Sequence, residues 1–361
     1  MTDRTVSVLL LASRFGMPYR VLRCTQAAGT RVYVLGTIAA AGLRRSRFCT
    51  DFALTSLPVD GTYNEALATA INQATQEFGI DVVIAGDAPA TRSLITIQSL
   101  LRARIFPMPA LPDFDVLNNK WAFTQLCQSK HVRSPQTWLF ANNTELESFL
   151  RANDDGRSFI AKPLSQDSSR GVVRISTRTW HSASAQLKYV PILLQEFIEG
   201  IDIGTSVFCT DGRIEAFIAH HYNRGRYTPI NDASIAKDLQ ALLGPLKTNG
   251  IFNFDMRQTA SGQIYYLECN PRVFWKISMS MLAGVNFVAQ GLAALELMAP
   301  PRQSSAPSAV LFPKALVLQA ATAPWHLSAS STQAVRFLYA DPMPYFSETL
   351  GFEHDPIDQR Q

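Results

Sequence analysis

The sequence predicts an α/β protein with a parallel, helix-covered sheet at its N-terminal end. After it comes an α+β part rich in antiparallel hairpins. Three observations carry the prediction. Up to about residue 115, short apolar runs alternate with helical stretches, the pattern of a parallel sheet covered on both faces. Beyond that point two turn signals, Asp211-Gly212 and Ser261-Gly262, sit between extended runs. The second joins NFDMR to YYLECN, whose period-two alternation marks strands with one buried face.

In order, residues 6–11 read as a strand and 14–28 as a helix ended by Gly29. Strands are expected at 31–35 and 52–54, and a helix over 63–78 closed by Gly79. Residues 81–85 form a strand broken by Gly86-Asp87-Ala88-Pro89, with a helix over 92–104 and an extended run at 105–107. The turn Ala12-Ser13-Arg14-Phe15-Gly16 lacks the G-x-G-x-x-G spacing of dinucleotide sites, which argues against NAD or FAD. Ser13-Arg14 and Gly86-Asp87 are either substrate contacts at the sheet's carboxyl end or ordinary turn residues.

Residues 115–129 are expected as one helix, in which Lys120 is by default a solvated charge. Lys162 interrupts an apolar strand over 158–163. It either meets an anion or snorkels to solvent. A buried strand over 192–198 precedes Glu199-Gly200-Ile201-Asp202, and a hairpin over 206–219 turns at Asp211-Gly212. His220 and His221 point to opposite faces of a strand and make a poor metal pair. Arg224 and Arg226 either clamp a carboxylate or phosphate or lie in a solvated loop. Helices are expected over 234–247, after Arg272, and over 287–297. A linker follows at 300–307, then strands at 309–312, 315–320 and 335–339.

The hairpin over 253–272 is the stretch around which the chain is organised. With Ser261-Gly262 as a two-residue loop, Asp255 faces Glu268, Asn253 faces Asn270, Phe254 faces Cys269 and Met256 faces Leu267. One face then carries Asn253, Asp255, Arg257, Tyr266, Glu268 and Asn270. The other, a core face, carries Phe252, Phe254, Met256, Tyr265, Leu267 and Cys269. Carboxylates directly opposite each other repel. The polar face is either solvated or built to hold a divalent cation, for which hard oxygen ligands suit Mg²⁺.

Composition narrows the class. With 361 residues, 47% hydrophobic and 17% charged, the chain is globular and long enough for two or three domains. A net charge of +4 without a basic run interleaved with aromatics does not favour nucleic acid. Five scattered cysteines with no C-x-x-C spacing suggest neither zinc nor disulfides, and a reducing cytoplasm fits best. The apolar run 6–12 is too short for a membrane span and no secretory cleavage site follows it, so no membrane partner is expected. A homo-oligomer is compatible with this composition.

Glu268-Cys269-Asn270-Pro271-Arg272 resembles the E-x-N-P-R signature of ATP-grasp enzymes, particularly the branch of the carbamoyl phosphate synthetase large chain and the carboxylate-amine ligases. The succession Lys120, Lys162 with its loop, Gln195-Glu196-Phe197-Ile198 with Asp202, and then Asp255 resembles the same family in order. The resemblance implies a Rossmann-like N-terminal (preATP-grasp) domain over 1–115 and an ATP-grasp domain over 116–300. Within the latter, a lid subdomain spans about 131–194 and a catalytic subdomain about 195–300. A linker and small C-terminal subdomain over 301–361 complete the expectation.

By the same resemblance, Asp255, Glu268 and Asn270 hold Mg²⁺ or Mn²⁺, and Arg272 and Lys162 serve the transferred phosphoryl group. Lys120 and Lys162 reach the ATP phosphates, with Ser168, Ser169 and Gly171 in a glycine-poor lid loop over them. Gln195, Glu196, Phe197 and Ile198 line the adenine, and Asp202 takes the ribose hydroxyls. Arg224, Arg226 and Asn253 are substrate candidates. Trp275 and Lys276, where family members often carry small polar residues, mark a distinctive substrate. The implied reaction joins a small carboxylate to an amine through an acyl phosphate, releasing ADP and phosphate. Two alternatives are a carboxylase-type enzyme using bicarbonate and a non-catalytic ATP-binding regulator.

Overall fold

The computed structural model describes residues 4–153, 156–165, 171–223, 225–301, 309–311, 313–323, 325 and 329–343. The chain opens with β1 (Ser7–Ala12), α1 (Gly16–Ala27), β2 (Arg31–Gly36), β3 (Cys49–Leu54), α2 (Glu65–Glu77), β4 (Val82–Ala85), α3 (Ala88–Ile97) and β5 (Arg104–Ile105). The five strands form a parallel sheet in the order β3-β2-β1-β4-β5. Every residue of β1 is buried, as a central parallel strand requires. Val8 and Leu10 pack towards α1; Leu9 and Leu11 pack towards α2 and α3. The helix expected over 92–104 starts four residues earlier, because the Asp87 carboxylate accepts the Ala90 N–H and Pro89 suits a first turn. Asp87 also accepts from the Ser13 N–H and hydroxyl at 3.0 and 2.7 Å, so these two carboxyl-end turns bind each other.

Next come α4 (Leu111–Asn118) and α5 (Lys120–Ser129), where one helix was expected. Asn119 leaves the helical region and caps α5 by accepting from the Trp121 and Ala122 N–H groups. That break makes Lys120 the first residue of α5. The segments β6 (Thr137–Phe140), α6 (Asn143–Ala152), β7 (Phe159–Lys162), β8 (Val173–Ile175), α7 (Trp180–Ser184) and β9 (Ile192–Glu196) follow. Their strands form an antiparallel sheet, β6-β9-β7-β8, over a core that includes Leu146, Leu150, Phe159, Ile192 and Leu194.

The largest sheet contains β10 (Ile201–Thr210), β11 (Arg213–Asn223), β12 (Arg226–Ile230), then, after α8 (Ala233–Leu243), β13 (Gly250–Gln258) and β14 (Ile264–Asn270). Helices α9 (Ile277–Leu282) and α10 (Phe287–Ala294) precede β15 (Val310–Leu311), which completes the order β14-β13-β10-β11-β12-β15. One face is sealed by apolar side chains of α4, α5 and α8. Part of the other packs against α9, α10 and the N-terminal sheet through Phe208, Ile218 and Ile251.

Three expectations need correction. The loop of the β13–β14 hairpin has three residues: Thr259 N–H donates to Gln263, Gly262 N–H returns to Thr259, and Gly262 has φ +82°. A bulge at Leu267 then offsets the register by one, so Met256 pairs with Tyr266 instead of Leu267. Tyr266 is consequently buried on the core face against Phe254, and Tyr265 is turned to the polar face beside Arg257. The two single-residue shifts cancel at the far end, where Asp255 pairs with Glu268 and Asn253 with Asn270 as expected. The third correction is at the C-terminus. Residues 315–320 and 335–339 lie in helices α11 (Pro313–Thr322) and α12 (Ala329–Tyr339). Past α12, the buried Asp341 accepts from the Tyr19 and Ser46 hydroxyls, fastening this segment to the N-terminal sheet layer.

Candidate active site

Asp255 and Glu268 are held side by side by the ladder between β13 and β14. Asn253 donates to Asp255 Oδ1 at 3.4 Å and accepts from the Ser206 hydroxyl at 3.3 Å, which fixes the carboxylate from behind. Asn253 therefore lies in the site, as a support of Asp255. Asn270 donates to Asp255 Oδ2 at 3.4 Å, and its carbonyl oxygen accepts from Arg272 at 2.9 Å. The buried Arg272 also donates to the Val273 carbonyl at 3.2 Å.

Two lysines from other elements converge on the same acid. Lys120 Nζ, at the start of α5, lies 3.3 Å from Glu268 Oε2, and Lys162 Nζ, at the end of β7, lies 3.8 Å from it. Only 6% of Lys120 and 5% of Lys162 is exposed. A backbone bond from Lys120 N–H to the Leu164 carbonyl, 3.0 Å, ties the two lysine-bearing segments together. Burial lowers Lys162 to about 8; Lys120 adds to the effect and Glu268 offsets part of it. Burial pushes Asp255 up to about 7, with Glu268 opposite adding to it. Burial also raises Glu268, but Lys162 and Lys120 outweigh it and hold this acid below its ordinary value. Of the two facing acids, Asp255 is therefore the more readily protonated.

The set suits a hard divalent cation. Two carboxylates and a carboxamide converge. Among the described residues no group of three or more His, Cys, Asp or Glu side chains does, so water and phosphate oxygens would complete a shell. A cation there would compensate the repulsion between the facing acids.

The remaining expected positions are distributed as follows. Gln195 is buried and donates to the Thr137 hydroxyl at 3.3 Å. The N–H groups of Glu196 and Phe197 are committed to the Gln136 and Ser158 carbonyls, so the strand neighbours occupy these donors. Phe197, with Ile198 next to it, lies between two guanidinium groups: Arg174 at 3.9 Å and Arg257 at 5.2 Å from the ring centre. Asp202 is exposed, at 70% of its side chain, and faces Arg257 Nε at 3.5 Å. Gly171 has φ +69°, and its carbonyl accepts from the Tyr189 hydroxyl at 2.6 Å. Ser168, Ser169 and Arg224 lie outside the described residues. Arg226 is exposed and alternates with Tyr227, whose ring covers the site face, so Arg226 is turned to the opposite face.

Sequence reasoning named His220, Trp275 and Lys276 but missed Gly204 and the way the row continues across the sheet. Glu268, Asp255, Gly204, His220 and Pro229 are lateral neighbours from β14 to β12 and share one face. A Cβ on Gly204 would collide with the His220 imidazole, so the ring lies over the glycine. His220 is 1% exposed and stacks on Tyr227 with centroids 3.8 Å apart. Lys276 Nζ stands 4.4 Å from the Tyr222 ring centre, and Arg20 stacks on Trp275 at 3.4 Å. A glycine inside an alternating strand was the signal available for the notch.

Residues 188–311 match the model of a family described as ATP-grasp in the biosynthetic pathway with Ter operon. No curated protein matches the chain. An L-amino acid ligase from Bacillus licheniformis has a similar structure, with TM-score 0.58, 18% identity, and coverage of 84% of this chain and 76% of that one. An N5-carboxyaminoimidazole ribonucleotide synthetase, solved with ADP, gives TM-score 0.64 and 13% identity over 84% and 81%. The biotin carboxylase domain of the Hydrogenobacter thermophilus 2-oxoglutarate carboxylase, solved with MgADP and bicarbonate, gives 0.62 and 13% over 85% and 72%. At these identities it is the fold that is shared: the chain has the fold of these ATP-grasp proteins, and its residues 188–311 match an ATP-grasp family model.

Proposed function

We propose that the protein is an ATP-dependent ligase that activates a small carboxylate as an acyl phosphate and joins it to an amine, releasing ADP and phosphate. The observation that carries this reading is the convergence of Lys120 and Lys162, from two separate elements, on Glu268 directly across from Asp255. Buried cations gathered at a carboxylate pair fit phosphoryl transfer, which needs positioning and charge neutralisation more than covalent chemistry.

Asp255, Glu268 and Asn270 would hold Mg²⁺ or Mn²⁺. When bound, that ion supplies charge compensation for the ATP phosphates. Lys120 and Lys162 then turn from Glu268 towards phosphate oxygens, and Arg272, already oriented by Asn270, faces the transferred group. Gln195 to Ile198 border the adenine and Asp202 the ribose, with Arg257 to be displaced from that acid. The substrate carboxylate attacks the γ-phosphorus, ADP leaves, and the amine displaces phosphate from the acyl group. The three expected domains, 1–115, 116–300 and 301–361, form the assembly that this reading uses.

The test is Mg²⁺-dependent ADP release across pools of amino acids, small carboxylic acids and bicarbonate, with Glu268→Gln as control. ADP release stimulated by one acid–amine pair and lost in the control supports the reading. AMP as product sinks the acyl phosphate. Release with bicarbonate alone moves the chain to the carboxylase type, and tight Mg·ATP binding without turnover makes it a regulator.

A further inference from the structure

Lys276 differs from the other site lysines in having no ion-paired acid among the described residues. Lys120 and Lys162 are both paired with Glu268, whereas among the described residues Lys276 has no carboxylate within ion-pair distance. It is half-buried, and its partner is the face of Tyr222. Asp255 and Asp202 act on it through their fields only. His220, next to it on the site face, supplies no compensation: its ring is buried, neutral, and without a hydrogen bond to either nitrogen from any described residue. A half-desolvated ammonium resting on an aromatic ring is an open anion site.

Its place in the sheet says which anion. Tyr222 is on β11, separated by β10 and β13 from β14, where Glu268 gathers the other two lysines. Strands lie about 4.8 Å apart, so the Tyr222 ring on which Lys276 rests stands roughly 10 Å or more across the sheet from Glu268, with Asp255 between them still feeling the Lys276 charge. The Arg20–Trp275 stack fixes the neighbouring residue of the loop against α1.

We propose that Lys276 binds a second carboxylate on the same substrate whose first carboxylate is activated, so that the protein acts on dicarboxylic acids or acidic amino acids. This rests on the ligase reading and adds to it the substrate class. Lys276 is a specificity residue here. It takes no part in phosphoryl transfer.

The test is calorimetric titration of the whole chain, loaded with Mg·ADP, with succinate, glutarate and L-glutamate against butyrate, pentanoate and L-norvaline. The expected result is at least tenfold tighter binding of one dicarboxylate than of its monocarboxylate match. That preference should disappear in Lys276→Met and be partly restored in Lys276→Arg, with Mg·ADP affinity moving less than twofold. Equal binding of the two series, no binding of any dicarboxylate, or a tenfold loss of Mg·ADP affinity in Lys276→Met overturns the proposal. The two readings separate cleanly. A Lys276-dependent preference without ADP release from any acid keeps the subsite and removes the ligase. ADP release from a dicarboxylate that is indifferent to Lys276 keeps the ligase and removes the subsite.

Discussion

On one face of the six-stranded sheet, Ile203, Val207, Phe252, Phe254 and Met256 disappear beneath α4, α5 and α8. One residue along the same strands, Gly204, Ser206, Asn253 and Asp255 line the other face, with Glu268 and His220 in the row. The backbone is shared and the physics is not. The apolar face contributes area removed from water. The polar face keeps facing acids, buried lysines and an imidazole without a hydrogen bond from any described residue. Each of those costs stability unless a ligand compensates it. Stability and function are therefore separable by residue parity along a single strand.

The largest effects should divide along that line. Glu268→Gln removes the charge that holds Lys120 and Lys162, and ADP release should fall roughly a thousandfold, the order seen when a preorganised charge is lost. Phe254→Ala, next to Asp255 but on the sealed face, should cost about 3–5 kcal/mol in urea denaturation. At low temperature, where the variant is still folded, its ADP release should stay within a few-fold. If Phe254→Ala lowers activity per folded molecule as much as Glu268→Gln does, the two faces are not independent.

The acid dependence sharpens the same contrast. In metal-free protein, Asp255 is pushed up to about 7 from an ordinary 3.8 by burial and by Glu268. The folded chain then holds a proton that the unfolded chain has released, so stability falls as pH rises from about 4 to 7. Lys162, lowered from 10.5 to about 8 mainly by burial, has lost a proton that the unfolded chain keeps. Stability therefore climbs again as pH rises from about 8 to 10.5. Asp255→Asn should flatten the first slope and Lys162→Met the second, read as urea midpoints across pH. Saturating Mg·ADP should flatten the first slope too, by taking the proton's place.

The sequence made some of this visible and hid the rest for identifiable reasons. The pairing of Asp255 with Glu268 followed from alternation, and the order of Lys120, Lys162 and Asp202 from a resemblance. The pairing holds only because the third loop residue and the bulge at Leu267 cancel. The bulge at Leu267 left no mark because Tyr265, Tyr266 and Leu267 are three core-compatible residues in succession, over which alternation does not fix the register. Residues 315–320 and 335–339 read as strands because short apolar runs do not distinguish period 2 from 3.6. The helix break at Asn119 was visible as a capping residue but masked by helical periodicity on both sides. Lys276 stood out by residue type. Its unpaired state is a property of three separate strands and is absent from local sequence.

The smallest expected effect compares the two hairpin turns. At Asp211-Gly212 both residues have positive φ, +50° and +73°, as a two-residue loop requires. Around Gly262 only the glycine does, at +82°, and a Cβ there meets nothing within 4 Å. Gly262→Ala should therefore cost only the backbone term, about 1 kcal/mol, and Gly262→Asn less, since asparagine tolerates this region. Ser261→Gly should bring no gain, because Ser261 is not left-handed in a three-residue loop, whereas Asp211→Gly should stabilise slightly. A clear gain from Ser261→Gly would mean a two-residue loop. The bulge at Leu267 would then have nothing to cancel, and Asp255 would lose Glu268 as its partner.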